Sequence, residues 1–470
     1  MYFKPLAVLI AASLGVTSLS VAAQTTGASA KRHAAHQAKT APAAVNQQEI
    51  ALLKAQLAAL QAKVEALSQQ SAAQATAVAQ SQATATASAA AVARNQASVQ
   101  RIEAARPRLD ALEKFVNNTE LNGTIFYDFT GASHKERGAN GIYSPKDSHG
   151  TTNGAGFDMK RFYLSITHTF SKMWSANLTT DFNYSSSLGQ TSLFVKKAYL
   201  QGDFSKYFIV RAGSANSPWI PFVEDLYHYR FFENTITDRS IDGGHNSDNT
   251  GVGSFGQSAD WGLHAMGGTK GDNSFTYQLS AVNGNGFRNP SRSGHVDLEG
   301  RVSYSPIKEL TLAVGGYDGK RGKDNVADDA KVRTTQRANA LIVYRNDSFG
   351  VGVEYFNARN WDDVLHGFDG SVLLNNGDKA NGYSVFADWS FARRWALFGR
   401  HDQINYHYWT GIGNSGSHYI KDEYYNAGVS FDPIRMLRFA LGWKYDTLRA
   451  DDQRFAYKTN EIGLWGQVLF

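Results

Sequence analysis

The chain contains no cysteine. Disulfides, thiolate metal ligands and thiol nucleophiles are therefore excluded. Beyond the N-terminus no run reaches about 18 apolar residues, which excludes a membrane protein built of helices. Proline is scarce, nine in 470 residues. Basic runs with interleaved aromatics are missing, so nothing suits the chain to follow a nucleic-acid backbone. There is no GxSxG elbow and no His-rich metal signature, and nothing calls for a cofactor. His168, His264, His401 and His407 are scattered along extended segments without a spaced nucleophile, so the chain is expected not to be an enzyme.

What is abundant is glycine (43), tyrosine (22), phenylalanine (27) and tryptophan (9). That mixture suits many strands, glycine-bearing turns and aromatic girdles. The mean hydropathy of −0.37 conceals such a design, because half of each strand is polar. The net charge of +5 is a weak pointer to anionic partners.

Residues 1–23 have the form of a secretory signal: Lys4, a short apolar core from Leu6, and the small residues Val21, Ala22 and Ala23 before Gln24. Residues 24–48 are aperiodic and suggest a flexible leader. Its His33 and His36 are a formal metal pair, but two histidines in a polar tail are expected to be solvated. From 49 to 106 the spacing changes. Ile50, Leu53, Leu57, Leu60, Val64 and Leu67 recur at steps of three and four, the seam of a coiled coil. The register continues through a weaker Ala/Ser/Thr/Gln stretch to Ile102. A self-associating helix is expected, against a lone amphipathic spacer, and Pro107 is expected to stop it at Arg106. Residues 107–120 would then be a linker.

From 121 to 470 the pattern is one of strands. On 174–184, Trp174, Ala176, Leu178, Thr180 and Phe182 alternate with Ser175, Asn177, Thr179, Asp181 and Asn183. On 437–446, Leu437, Phe439, Leu441, Trp443 and Tyr445 oppose Arg438, Ala440, Gly442, Lys444 and Asp446. Seven tight turns alternate with eight long Gly/Asn/Asp/Ser-rich loops. The fold expected is all-β: a transmembrane antiparallel β-barrel of about sixteen strands behind an α-helical coiled coil. The last strand alternates as well and ends on Phe470. This resembles the closing strand of bacterial outer-membrane barrels, where the terminal aromatic is the signal read by the barrel assembly machinery.

The longest loop, 214–256, holds Pro218 and Pro221, then Trp219, Phe222, Leu226, Tyr227, Tyr229, Phe231 and Phe232. A segment this apolar is ill suited to water. It is expected to fold into the barrel as a constriction, the alternative being an external loop packed between subunits. Strand parity puts Arg161, Lys197, Arg211, Arg301, Arg337, Arg400, Arg438 and Lys444 inside, with Arg230 and Arg239 on the loop. A row of such cations offers anions many weak sites, as conduction requires. Parity also puts Asp181, Asp297, Glu299, Glu354, Asp388, Asp402, Asp446 and Glu461 inside. The alternative for any one arginine is a salt bridge across the wall.

Phe157–Phe170 (FDMKRFYLSITHTF), Lys197–Gln201 (KAYLQ), Arg211–Trp219 (RAGSANSPW) and the terminal GLWGQVLF together resemble the phosphate-selective porins, the O/P-type porins of Gram-negative outer membranes. The resemblance covers residues 120–470. It implies a homotrimer of sixteen-stranded barrels in the cell outer membrane, a third external loop folded inward, conduction of small hydrophilic solutes biased to anions such as phosphate, and a coiled coil in the periplasm. Asn216 departs from it, standing where the family carries a basic residue before proline. Two other functions fit the same features: a general porin whose aromatic loop stacks on sugars, and a barrel that anchors a structural tether of the envelope.

Overall fold

The computed structural model describes residues 47–138, 140–145, 153–185, 190–241, 254–323, 325–326, 330–331, 333–361, 364–366, 372–410, 416–451 and 456–470. The signal segment and nearly all of the leader lie outside these. The chain divides into two compact units, which meet between Glu103 and Ala104.

Helix α1 runs from Gln47 to Asn117, 71 residues without a glycine, about 105 Å long. Alanine, glutamine, leucine and lysine favour it throughout. It does not stop at Arg106, as the sequence suggested, but passes through Pro107. A proline forfeits one backbone bond and strains one turn, about 3 kcal/mol. The strong helix formers Leu109, Ala111, Leu112, Glu113 and Lys114 on its far side outweigh that, so most of the presumed linker is helix. No residue of α1 is buried. Ile50, Leu53, Leu57, Leu60, Val64 and Leu67 stand open to solvent in the single chain.

The second unit is a closed antiparallel barrel of sixteen strands. They are β1 (Thr119–Arg137), β2 (Gly154–Thr169), β3 (Trp174–Ser185), β4 (Gln190–Ser205), β5 (Phe208–Asn216), β6 (Ala259–Gly268), β7 (Ser274–Val282), β8 (Asp297–Ile307), β9 (Leu310–Gly319), β10 (Thr335–Arg345), β11 (Phe349–Arg359), β12 (Val372–Ala392), β13 (Trp395–Thr410), β14 (Gly416–Ile434), β15 (Leu437–Ala450) and β16 (Tyr457–Leu469). Each pairs with the next. β16 closes on β1 from Thr124↔Leu469 to Glu136↔Tyr457. Short turns join the strands at one rim and long loops at the other, in the places the sequence indicated.

The faces are inverted relative to a water-soluble protein. Leu263, Leu279, Leu298, Leu441 and Ile462 point outward and are more than half exposed, while Asp181, Asp297, Asp402 and Asp422 are completely buried inside. An apolar outer band around a closed sheet satisfies every backbone group without water, so this is a transmembrane barrel. Phe470 lies on the outer side at the seam. Its backbone exchanges two hydrogen bonds with Gly123, 2.7 and 3.0 Å. A Cβ on Gly123 would collide with the Phe470 ring, so the glycine is what lets the terminal aromatic lie flat there.

Bulges in β2 and β4 break the alternation on the lumen side. Phe126 and Tyr127 of β1 face Arg161 and Met159 of β2, which leaves Lys160 as an extra residue. Thr179 and Thr180 of β3 face Lys197 and Val195 of β4, which leaves Lys196 as another. A bulge lets two consecutive side chains share one face. Here it turns Lys160 with Arg161, and Lys196 with Lys197, into the lumen.

Candidate functional site

The loop between β5 and β6 begins at Ser217, whose N–H donates to the Ser258 carbonyl at 3.0 Å. It carries a short helix, α2 (Ile220–Tyr227), with Pro221 in the first turn, where the lost N–H costs nothing. His228 ends it in the left-handed region at φ 69°, its N–H capping Glu224 at 3.1 Å.

Walls on many sides grip this loop. Arg301 on β8 donates to the Pro218 carbonyl (3.0 Å) and Arg337 on β10 to the Phe255 carbonyl (2.5 Å). The Trp219 indole donates to Glu354 on β11 (2.8 Å). Arg400 on β13 reaches the Asn234 carbonyl (2.5 Å), and Lys160 on β2 reaches the Phe232 carbonyl (2.8 Å). Lys444 on β15 pairs with Glu233 (3.3 Å). A segment bonded to β2, β8, β10, β11, β13 and β15 lies inside the cylinder, and the external alternative falls. Trp219, Ile220, Val223, Phe231, Phe232, Ile236, Ile241 and Phe255 are fully buried, each contributing about 1.5–3 kcal/mol.

Of the four aromatic residues expected at the constriction, Trp219, Tyr227 and Tyr229 are buried against the wall. Tyr229 stacks on Phe398 at 4.3 Å, and Phe232 packs on Trp465 at 4.2 Å. Only Phe222 is half-buried, with the Arg301 guanidinium 3.9 Å above its ring. These rings serve as the loop's anchor, and stacking on sugars has no free face at Trp219, Tyr227 or Tyr229.

The cations separate into two groups. Arg301, Arg337, Arg400, Arg438 and Lys444 face inward as parity required, but they, like Arg239 of the loop, bond to the loop or to carboxylates. Arg337 pairs with Glu299 (2.5 Å) and Arg400 with Asp402 (2.7 Å). Arg438 pairs with Asp432 (2.7 Å) and donates to the His228 carbonyl (3.2 Å). Arg239, from the loop, is clamped by Asp402 (3.3 Å), Asp446 (3.4 Å) and Asp422 on three adjacent strands. These residues hold the structure together.

Arg161, Lys197, Arg211 and Arg230 form the other group, along β2, β4 and β5 and the loop face opposite them. All four are half-buried. Arg161 lies 3.7 Å from Asp181, and Arg230 pairs with Glu224 and donates to the Tyr163 hydroxyl at 2.9 Å. Arg211 donates to Gln201 at 2.8 Å and lies over the Tyr199 ring at 4.7 Å. Among the described residues neither Arg211 nor Lys197 makes a salt bridge. Two further cations complete the face. Lys196 bonds the Tyr163 hydroxyl at 3.1 Å, and Arg288, exposed on the loop after β7, lies 4.7 Å above Phe194. Neither could be placed by parity: Lys196 arrives through a bulge, and Arg288 is on a loop.

The loop carboxylates respond to these fields. Burial, and then Glu224 beside it, pushes Asp238 up to about 6, against the pull of Arg230, Lys196 and Arg161. Burial also opposes the charge on Glu233. Lys160 and Lys444 outweigh it and hold that carboxyl well below its usual range.

Fold and lumen thus define a class, transmembrane barrels with a loop folded into the channel. No family model and no curated protein matches the sequence. Among solved structures the chain is similar to the outer membrane channel DcaP of Acinetobacter baumannii (13% identity, TM-score 0.46, covering 75% of this chain and 97% of that one). It is also similar to OmpF of Salmonella typhi in complex with daunomycin (12%, 0.48, 75% and 97%) and to an anion-selective porin from Comamonas acidovorans (12%, 0.43, 75% and 99%).

Proposed function

We propose that this protein is an outer-membrane porin, a homotrimer that lets small hydrophilic solutes cross by passive diffusion and leans toward anions of the phosphate type. One observation carries the anion preference. Along β2, β4 and β5 and the loop face opposite them, Lys197 and Arg211 stand with Arg161, Lys196, Arg230 and Arg288, against fewer carboxylates (Asp181, Glu224, Asp225 and Asp238). A half-desolvated row of this sign concentrates anions, and its several shallow sites release them again. Passage needs no chemistry from the wall beyond exchanging part of the anion's hydration for guanidinium and ammonium donors.

The test is the reversal potential of the purified protein in a planar bilayer under a salt gradient. Anion preference is expected. In Lys197→Gln/Arg211→Gln it should fall by about threefold to tenfold with the barrel intact. Cation preference in the native protein would sink the proposal. Phe470, at the outer seam, is consistent with a role as the assembly signal, and the exposed apolar seam of α1 supports self-association in the periplasm.

A further inference from the structure

Three of the lumen cations rest on aromatic rings. The Arg211 guanidinium lies 4.7 Å from the centre of the Tyr199 ring. Arg288 stands 4.7 Å over Phe194 and 5.7 Å over Phe287. Lys196 stands 4.6 Å over Tyr163 and 5.5 Å over Phe287. Among the described residues Arg211, Arg288 and Lys196 form no salt bridge. Rings lie under cations on β13 and β15 too, but carboxylates come with them there. Arg400 covers Tyr227 at 4.9 Å and pairs with Asp402. Lys444 covers Trp465 at 4.7 Å and pairs with Glu233 and Glu461.

The strand register builds the first seat. Tyr199, Gln201 and Asp203 share the inward face of β4, and Gln201 is opposite Arg211 of β5. The Gln201 carbonyl accepts from the Arg211 Nε at 2.8 Å. Its amide donates to both oxygens of Asp203, at 2.9 and 3.0 Å. One amide thus stands between the guanidinium and the carboxylate that would neutralise it. Tyr199 and Asp203 flank Gln201 along the strand, so a guanidinium laid over Tyr199 is turned away from Asp203. The second seat joins two segments. Phe194 of β4 stacks on Phe287, from the loop after β7, at 5.8 Å and 27°. The Phe287 N–H donates to the Ala259 carbonyl and its own carbonyl accepts from the Trp261 indole, both at 3.1 Å. Asp260 accepts from the N–H groups of Gly284 (3.0 Å) and Gly286 (3.2 Å). Both glycines are left-handed, at φ 88° and 73°, where a side chain would be strained.

We infer that Tyr199, Phe194 and Phe287 are positioning residues for anion passage. They are uncharged rings that hold Arg211, Arg288 and Lys196 in the lumen without neutralising them. The inference rests on the anion-leaning porin reading. A carboxylate partner fixes a cation but cancels its charge toward a passing solute. A ring attracts the cation through its quadrupole, whose field fades steeply with distance, and the net positive charge survives. The cations themselves cover these ring faces, so a solute meets guanidinium and ammonium groups there. The recognised class is therefore small anions, with no aromatic group required of them.

Reversal potentials of the full chain in a planar bilayer, under a potassium chloride gradient, test this as a cycle. Tyr199→Leu should lower the anion-to-cation permeability ratio about threefold, because Arg211 then closes on Asp203. In an Asp203→Asn background the same substitution should leave the ratio of that background as it was. Tyr199→Phe, which keeps the ring, should retain the native ratio. Phe194→Leu, at the independent seat, should lower it about twofold. An equal fall in both backgrounds, or native ratios in Tyr199→Leu and Phe194→Leu, overturns the inference and makes the rings wall packing alone. The shift is read whatever the sign of the native preference. A cation-preferring native channel would therefore sink the anion reading, while the cycle still decides the seats. A heat-shifted gel band from each variant confirms that the barrel formed.

Discussion

Lys160 and Lys196 owe their place in the lumen to one extra residue in each of their strands. Alternation alone assigns one member of a Lys-Arg or Lys-Lys pair to lipid, where its charge would be expensive. A bulge costs a local disruption of the ladder and brings both members inside. Asp238, near Lys196, changes its charge in an accessible range. Below about pH 6 its buried carboxyl is protonated and neutral, and above that it adds a negative charge next to Lys196 and Arg161. Anion preference is therefore expected to decline as pH rises through about 6. The same ionisation, having a folded-state value above the ordinary 3.8, removes stability over that rise. Reversal potentials measured on both sides of that pH check it. Asp238→Asn should hold the higher preference throughout, and a variant with the native pH response would assign the titration to another group.

At the scale of elements, the loop from Ser217 to Ser258 decides how open the barrel is, and Arg239 is its most heavily bonded charge. Asp402, Asp422 and Asp446 converge on it from β13, β14 and β15. Arg239→Ala leaves three buried carboxylates facing one another, at a cost of about 3–5 kcal/mol. The loop should pull from that wall, giving a larger and noisier single-channel conductance. Unchanged conductance and an unchanged unfolding midpoint would show that the aromatic anchor alone suffices. The inward fold of the loop was legible in the sequence, because Trp219, Phe231 and Phe232 are too apolar to sit together in water. Which wall it grips was not, since its partners lie as far as 207 residues away, as Arg239 does from Asp446. The stop at Pro107 was misjudged for a related reason: a local rule weighed one proline, whereas the helix sums the preferences of its whole length.

For the whole molecule, Ile50, Leu53, Leu57, Leu60, Val64 and Leu67 of α1 stand uncovered in one chain, and self-association through them is testable. Deleting residues 49–106 should lower the temperature at which the oligomer dissociates in detergent and leave the conductance of each barrel as it was. An oligomer of native stability would remove the helix from assembly. Residues as far apart as Lys135 and Lys458 become neighbours only when β16 closes on β1, which a linear reading cannot show.

The sequence by itself determined the alternation of faces and the positions of turns and loops, and hence a closed barrel, as well as a long N-terminal helix. These depend on periodicity and on local preferences that neighbours in the chain carry. Only the tertiary structure decided which cations are spent on salt bridges and which remain available to a solute. Charge pairing is a short-range Coulomb contact between residues far apart in sequence, and it exists only once register, bulges and the inward loop have set the distances.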